Sequence, residues 1–411
     1  MLLRPPDCLS LVQRPILFSP TTSSWNSLST TRATRICRAS LITNSDSFEV
    51  GRLIGSYGFM NITSYSGFSS GMDAEYSSGD MEQLRVQDVG EGSVKIRLYE
   101  GRVSQGPYKG TPVVFKVYPG RRAGGNEADM MAANELNAHA YLQSSSKGIC
   151  QNLLLLLGGF ETTTGEQWLA FRNYGKSSAA DYAKVASEKV SRKRALGEQA
   201  SWNRFEEEET IKRRRFFVIK MLNGVMTGLA YMHDHDRLHQ SLGPSSIVLN
   251  TIAEREAVYL IPRLRDLAFS VDISYSNLEE DPGSSLSEGL WRRATTAGAF
   301  TPMEKRTFGL ADDIYEAGLL FAYLAFVPFC EAGLIDSLSL QRLLESTFKL
   351  DLEAVREYCL ADDQMLDAVK FLDLGDGAGW ELLQAMLNPD YRSRPIAEAV
   401  LNHRFMTGAV L

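Results

Sequence analysis

Lys116 sits alone in the apolar run Val113-Val114-Phe115-Lys116-Val117, which reads as a buried strand. An ammonium in such a run has to meet a carboxylate or a phosphate, because unpaired burial is costly. Downstream, Glu135 lies in Glu127–Leu136, a stretch rich in Ala, Met, Leu and Glu that favours a helix. Upstream, Val89-Gly90-Glu91-Gly92-Ser93-Val94 supplies two glycines, which let a backbone turn tightly and approach phosphate oxygens with no Cβ in the way. Taken singly, the glycine pair also suits a plain turn, and Glu135 a solvated helix face. Taken together, the three suit an ion pair beside a phosphate-covering loop. A further segment, His239-Gln240-Ser241-Leu242-Gly243-Pro244-Ser245-Ser246, precedes the apolar strand Ile247-Val248-Leu249 and carries hydroxyls but neither carboxylate nor cation.

In this order, these segments resemble the protein kinase domain. The family's catalytic loop reads His-Arg-Asp-Leu-Lys-Pro-x-Asn. Here His239, Leu242 and Pro244 keep the scaffold positions, while Gln240, Ser241, Gly243 and Ser246 stand where the family has Arg, Asp, Lys and Asn. The resemblance implies that the missing Asp would take the acceptor hydroxyl's proton and the missing Asn would hold a second magnesium ion. The phosphoryl-transfer machinery therefore looks largely removed. The same resemblance implies that Gly90 and Gly92 begin the phosphate loop, whose third glycine is absent. It casts Lys116 and Glu135 as the pair that orients a nucleotide's phosphates. Asp266, in Leu264-Arg265-Asp266-Leu267-Ala268 after the strand-like run Val258-Tyr259-Leu260-Ile261 and a short link, takes the magnesium carboxylate position, with Ala268 in place of a glycine. On the scaffold side, Asp313 would tether the catalytic-loop backbone. Arg394 would pair with Glu304, which stands one residue past Pro302 where kinases have Ala-Pro-Glu.

A narrower resemblance is to the thylakoid state-transition kinases of plants. It rests on Phe371–Leu383, on the Asp266-Leu267-Ala268 triplet and on Trp168–Gly175, which resembles the hinge between lobes. Those relatives keep the catalytic Asp, Lys and Asn, so this chain departs from them where activity resides.

With 43 basic and 50 acidic residues, the 411-residue chain has a formal charge of -7, which argues against nucleic acid or an anionic membrane as main partner. The first 45 residues differ in kind: Asp7 is their one acid, against Arg4, Arg14, Arg32, Arg35 and Arg38, and Ser and Thr crowd the stretch from Ser19 to Ser40. Such a leader looks like an organelle transit peptide, and the thylakoid resemblance points it to the chloroplast. Cys8, Cys37, Cys150, Cys330 and Cys359 form no disulfide or zinc pattern. No segment reads as a transmembrane helix; Ile314–Ile335 is interrupted by Glu316, Pro328 and Glu331 and reads as a buried core helix.

The expectation is an α+β, two-lobed protein kinase fold. Residues 1–45 form the transit peptide, 46–85 an extension or linker, 86–172 a β-rich lobe and 173–411 a mainly helical lobe. Residues 184–217 read as a solvated, charge-laced insert. The glycines at 51, 55 and 58 stand too far from Lys116 in sequence to serve as its phosphate loop. Functionally, the leading expectation is a pseudokinase in the stroma or on the thylakoid surface, with weak ATP binding, a possible role for Mg2+, and proteins as partners. The alternatives are an active serine/threonine kinase with substitute residues, and a structural partner that binds no nucleotide.

Overall fold

The computed structural model describes residues 41–59, 94–144, 148–195, 204–279 and 286–408. Gly90 and Gly92 fall outside these, as do residues 1–40 of the leader. Strands β1 (Phe48–Phe59), β2 (Val94–Val103), β3 (Pro112–Tyr118), β4 (Leu156–Glu161) and β5 (Gln167–Arg172) form an antiparallel sheet of order β1-β2-β3-β5-β4. Helix α1 (Arg121–Gln143) packs on it between β3 and β4 in the chain. Beyond β5 the chain becomes mainly helical, with α2 (Ala179–Ala195), α3 (Arg204–His233), α4 (Tyr275–Glu279), α5 (Glu288–Thr296), α6 (Pro302–Phe326) and shorter helices to Leu401. Short strands β6 (Ser177–Ser178), β8 (Ile247–Leu249) and β9 (Arg263–Leu264) make a small sheet, and β7 (Arg237–Leu238) pairs with β10 (Val271–Asp272). This is the expected α+β, two-lobed architecture.

Each lobe is built on its own buried apolar clusters. Phe48, Val103, Val113, Phe115, Val117 and Ala170 pack inside the sheet lobe. In the helical lobe α3 and α6 are the central members, joined by Phe321, Phe371 and Phe405. Helix α6 starts where it does because Thr301 and Glu304 form a reciprocal capping box and Pro302 fits the first turn.

Four expectations need correction. Residues 46–85 are not simply an extension, since 48–59 form β1 and Phe48 packs edge-on against Phe115 at 5.5 Å. Register shifts between Val50 and Leu53, and again between Leu53 and Gly55, destroy the period-two signal that would have marked a strand. Residues 184–217 are no loose insert: 184–195 continue α2 and 204–217 begin α3, with Ala186, Ser187 and Phe217 buried. Their charges include Arg214, which is buried and bonded to Glu254 at 2.9 Å and to the Pro328 carbonyl at 2.8 Å. The strand read at Val258–Ile261 is instead a 3-10 turn over Glu254–Tyr259. Finally, Glu304 and Arg394 do not pair. Glu304 caps α6 by accepting from the backbone N–H groups of Phe300 and Thr301, whereas Arg394 donates to the carbonyls of Asn388 and Ala311.

Among the described residues no helix is long and apolar enough to cross a membrane. Cys150, Cys330 and Cys359 are free thiols.

Candidate functional site

Helix α1 shows why Glu135 is where it is. Ala128, Met131, Ala132, Glu135, Ala138, His139 and Leu142 recur at helical spacing and all are buried, so the stripe that faces the sheet carries two polar members. Strand β3 brings Lys116 to the same place, and the two meet at 2.7 Å between Nζ and Oε2. Tyr118, two residues along β3, donates its hydroxyl to the same Oε2.

Lys116 has a second partner. Its Nζ donates to Asp266 Oδ1 at 2.7 Å, and the Tyr57 hydroxyl, from β1, donates to that same oxygen at 2.9 Å. Arg265 Nε stands 3.2 Å from the other carboxylate oxygen, Oδ2. Asp266 holds a left-handed backbone (φ 68°, ψ 52°), uncommon for a residue with a Cβ and typical of positions the surroundings over-determine. Lys116, Glu135 and Asp266 are 3%, 1% and 5% exposed, so this is a buried network of alternating charge.

The electrostatics follow from that burial. Desolvation pushes the Asp266 carboxyl up, but Lys116 and Arg265 outweigh it and hold it at about 2. Burial raises Glu135 against the pull of Lys116. Burial would lower the Lys116 ammonium, yet Asp266 and Glu135 hold it well above its usual value. Burial, then Asp266, pushes the Tyr57 phenol far up, so it is a hydroxyl donor and never a phenolate.

Around these polar groups lies a cleft open to solvent. Leu98, Val114, Leu154, Phe171 and Val248 give it apolar walls, and Lys116, Arg265 and Asp266 form its charged end. Gly175 lines it where the chain passes from sheet to helices. A Cβ there would lie 2.0 Å from the Leu249 carbonyl oxygen, so the crossing needs glycine.

The loop 239–246 lies against the Asp266 backbone and adds no charge there. Asp313 fixes its backbone: Oδ2 accepts from His239 N at 2.8 Å and Oδ1 from Gln240 N at 3.0 Å. His233 Nε2 lies 3.0 Å from the same Oδ2. The Ser241 hydroxyl donates to the Asp266 carbonyl at 2.7 Å. The Ser246 hydroxyl turns into its own loop, donating to the Gly243 carbonyl at 2.8 Å and accepting from Gly243 N at 3.0 Å. Buried His239 accepts at Nδ1 from Ser241 N, which leaves Nε2–H to donate to the Arg265 carbonyl at 3.0 Å. Burial keeps that imidazole neutral by lowering its pKa.

The fold thus brings Lys116, Glu135 and Asp266 together, with Ser241 against the Asp266 backbone and Asp313 behind the loop. Tyr57 and Arg265 are the members that sequence reasoning missed. The available signal for Tyr57 was the run Gly55-Ser56-Tyr57-Gly58, glycines framing an aromatic at the end of a strand.

No protein-family model matches the sequence, and no curated protein matches it. Among solved structures, the crystal structure of a Stt7 homologue from Micromonas algae soaked with ATP aligns with a TM-score of 0.53 and 18% identity. The alignment covers 92% of this chain and 98% of that one. At that identity the likeness establishes a kinase-like, two-lobed fold.

Proposed function

We propose that this protein is a chloroplast pseudokinase that binds nucleotide weakly in the cleft and acts by binding other proteins as a scaffold or regulator. The observation that carries the reading is Ser241: where a kinase presents a carboxylate to its acceptor hydroxyl, this loop presents a neutral hydroxyl already donated to the Asp266 carbonyl. A positioned base is worth about 10²–10⁴-fold in rate. Gly243 offers no cation to the transferring group, and these losses act on one transition state, so they do not simply add. Nucleotide binding is supported by the retained Lys116–Glu135 pair, by the apolar walls and by a structural neighbour that was soaked with ATP.

The rival reading, an active kinase with a relocated carboxylate, would call on Asp236 or Asp272. Both are held elsewhere: Asp236 accepts from Arg306, and Asp272 pairs with Arg237 at 3.0 Å. Transfer from radiolabelled ATP to generic and thylakoid protein substrates tests the choice, with Asp266→Ala as control. The expected rate is about 10²–10⁴-fold below that of a working kinase. Robust transfer that disappears in the control would establish the rival.

Chloroplast residence rests on the acid-poor leader of Arg, Ser and Thr. A fluorescent protein fused behind residues 1–75 is expected inside chloroplasts, and cytosolic fluorescence would remove that part of the proposal.

A further inference from the structure

The kinase-like fold implies a magnesium ion beside Asp266, yet the groups around that carboxylate do not fit one. Magnesium demands a near-octahedral oxygen shell at about 2.0–2.1 Å. Asp266 Oδ1 already accepts from Lys116 at 2.7 Å and Tyr57 at 2.9 Å, and Oδ2 faces Arg265 at 3.2 Å. The serine hydroxyls of the adjoining loop face away, Ser241 towards the Asp266 carbonyl and Ser246 into its own loop. Among the described residues no group of three or more His, Cys, Asp or Glu side chains is placed to hold a metal. A dication would have to enter between two fixed cations and take oxygens that both already use.

We infer that Arg265 has taken the metal's place, so that the cleft receives nucleotide phosphates on Arg265 and Lys116 without magnesium. The inference rests on the nucleotide-binding reading above and sharpens it. Arg265 is anchored through Nε, which donates to the Ser245 carbonyl at 2.9 Å. Its terminal nitrogens make no hydrogen bond to a described residue, and about a quarter of the side chain remains exposed where it lines the cleft. A guanidinium offers a planar fork of donors that matches two phosphate oxygens at once, and it stays charged at any physiological pH. With Lys116 it places two cations at the cleft's charged end. Glu135 and Asp266 balance them, which keeps the empty cleft stable and limits affinity for a highly charged ligand.

Calorimetric titration of the mature protein with ATP, once in magnesium and once in EDTA, tests this. The expected dissociation constants agree within about threefold, whereas the outer-shell chemistry of a metal-dependent site would separate them by far more. Arg265→Gln should weaken binding in EDTA at least tenfold, and Arg265→Lys, which keeps the charge but loses the fork, should fall between. Wild-type binding that appears only with magnesium overturns the inference and leaves nucleotide binding standing. Absence of binding in both buffers overturns nucleotide binding itself. If Arg265→Gln fails to fold, the wild-type comparison and Arg265→Lys still decide the matter; equal EDTA affinity in wild type and either folded variant overturns the role of Arg265.

Discussion

Replacing Lys116 with Met is expected to cost about 3–5 kcal/mol of stability and, in the same variant, to abolish ATP binding. Lys116 lies between two carboxylates, 2.7 Å from each, with only 3% of its surface exposed. Removing the cation leaves Glu135 and Asp266 buried with one fewer compensating charge, and an uncompensated buried charge is what makes breaking such networks expensive. Met fills nearly the same volume, so packing contributes little to the loss. A rescue experiment separates the two causes. Adding Glu135→Gln and Asp266→Asn to Lys116→Met removes the stranded charges and should return much of the stability, with no return of ATP binding. Urea denaturation measures the first and calorimetry the second. A Lys116→Met protein as stable as wild type would refute the buried-network description.

The second large effect concerns acid. His139 shares the inward stripe of α1, stacks edge-on against Phe171 at 5.0 Å and has an Nε2 without a partner. Burial, helped by the nearby Lys116 charge, lowers its pKa to about 3. In the unfolded chain an imidazole takes a proton near pH 6.5. Between those limits the unfolded state binds the proton and the folded state does not, so stability falls as pH drops from 6.5 towards 3 and this contribution is complete above 6.5. The full difference is about 4–5 kcal/mol. Glu135, whose pKa burial raises, acts in the opposite direction. Comparison with His139→Leu isolates the imidazole: the variant is less sensitive to acid between pH 6.5 and 5, whatever its stability at pH 7. Denaturation curves of equal pH slope for both proteins would count against a neutral buried His139.

How much of this was legible in the chain depends on what each residue's role required. A lone Lys in an apolar strand and a Glu in an Ala-rich helix announce themselves, because burial and periodicity are local properties of the sequence. The tether at Asp313 could be read through resemblance, since its surroundings in α6 retain a recognisable order. Tyr57 and Arg265 could not. Their roles come from segments that meet only in the folded protein, and β1 hides behind two register shifts. Glu304 was read for the wrong partner because a capping box and an ion pair use the same residue type. The choice between them was local geometry, set by Thr301 three residues before it.

Strand β1 also carries an entropic cost. It pairs with β2 across residues 60–93, whereas β2 reaches β3 through a short turn. Compared with a two-residue hairpin, closing that longer stretch costs about 2–3 kcal/mol of chain entropy. The ring contacts of Phe48 with Phe115 and Phe160 are among those that offset it. Because Tyr57 rides on β1 and donates to Asp266, that pairing also holds a hydroxyl over the charged end of the cleft.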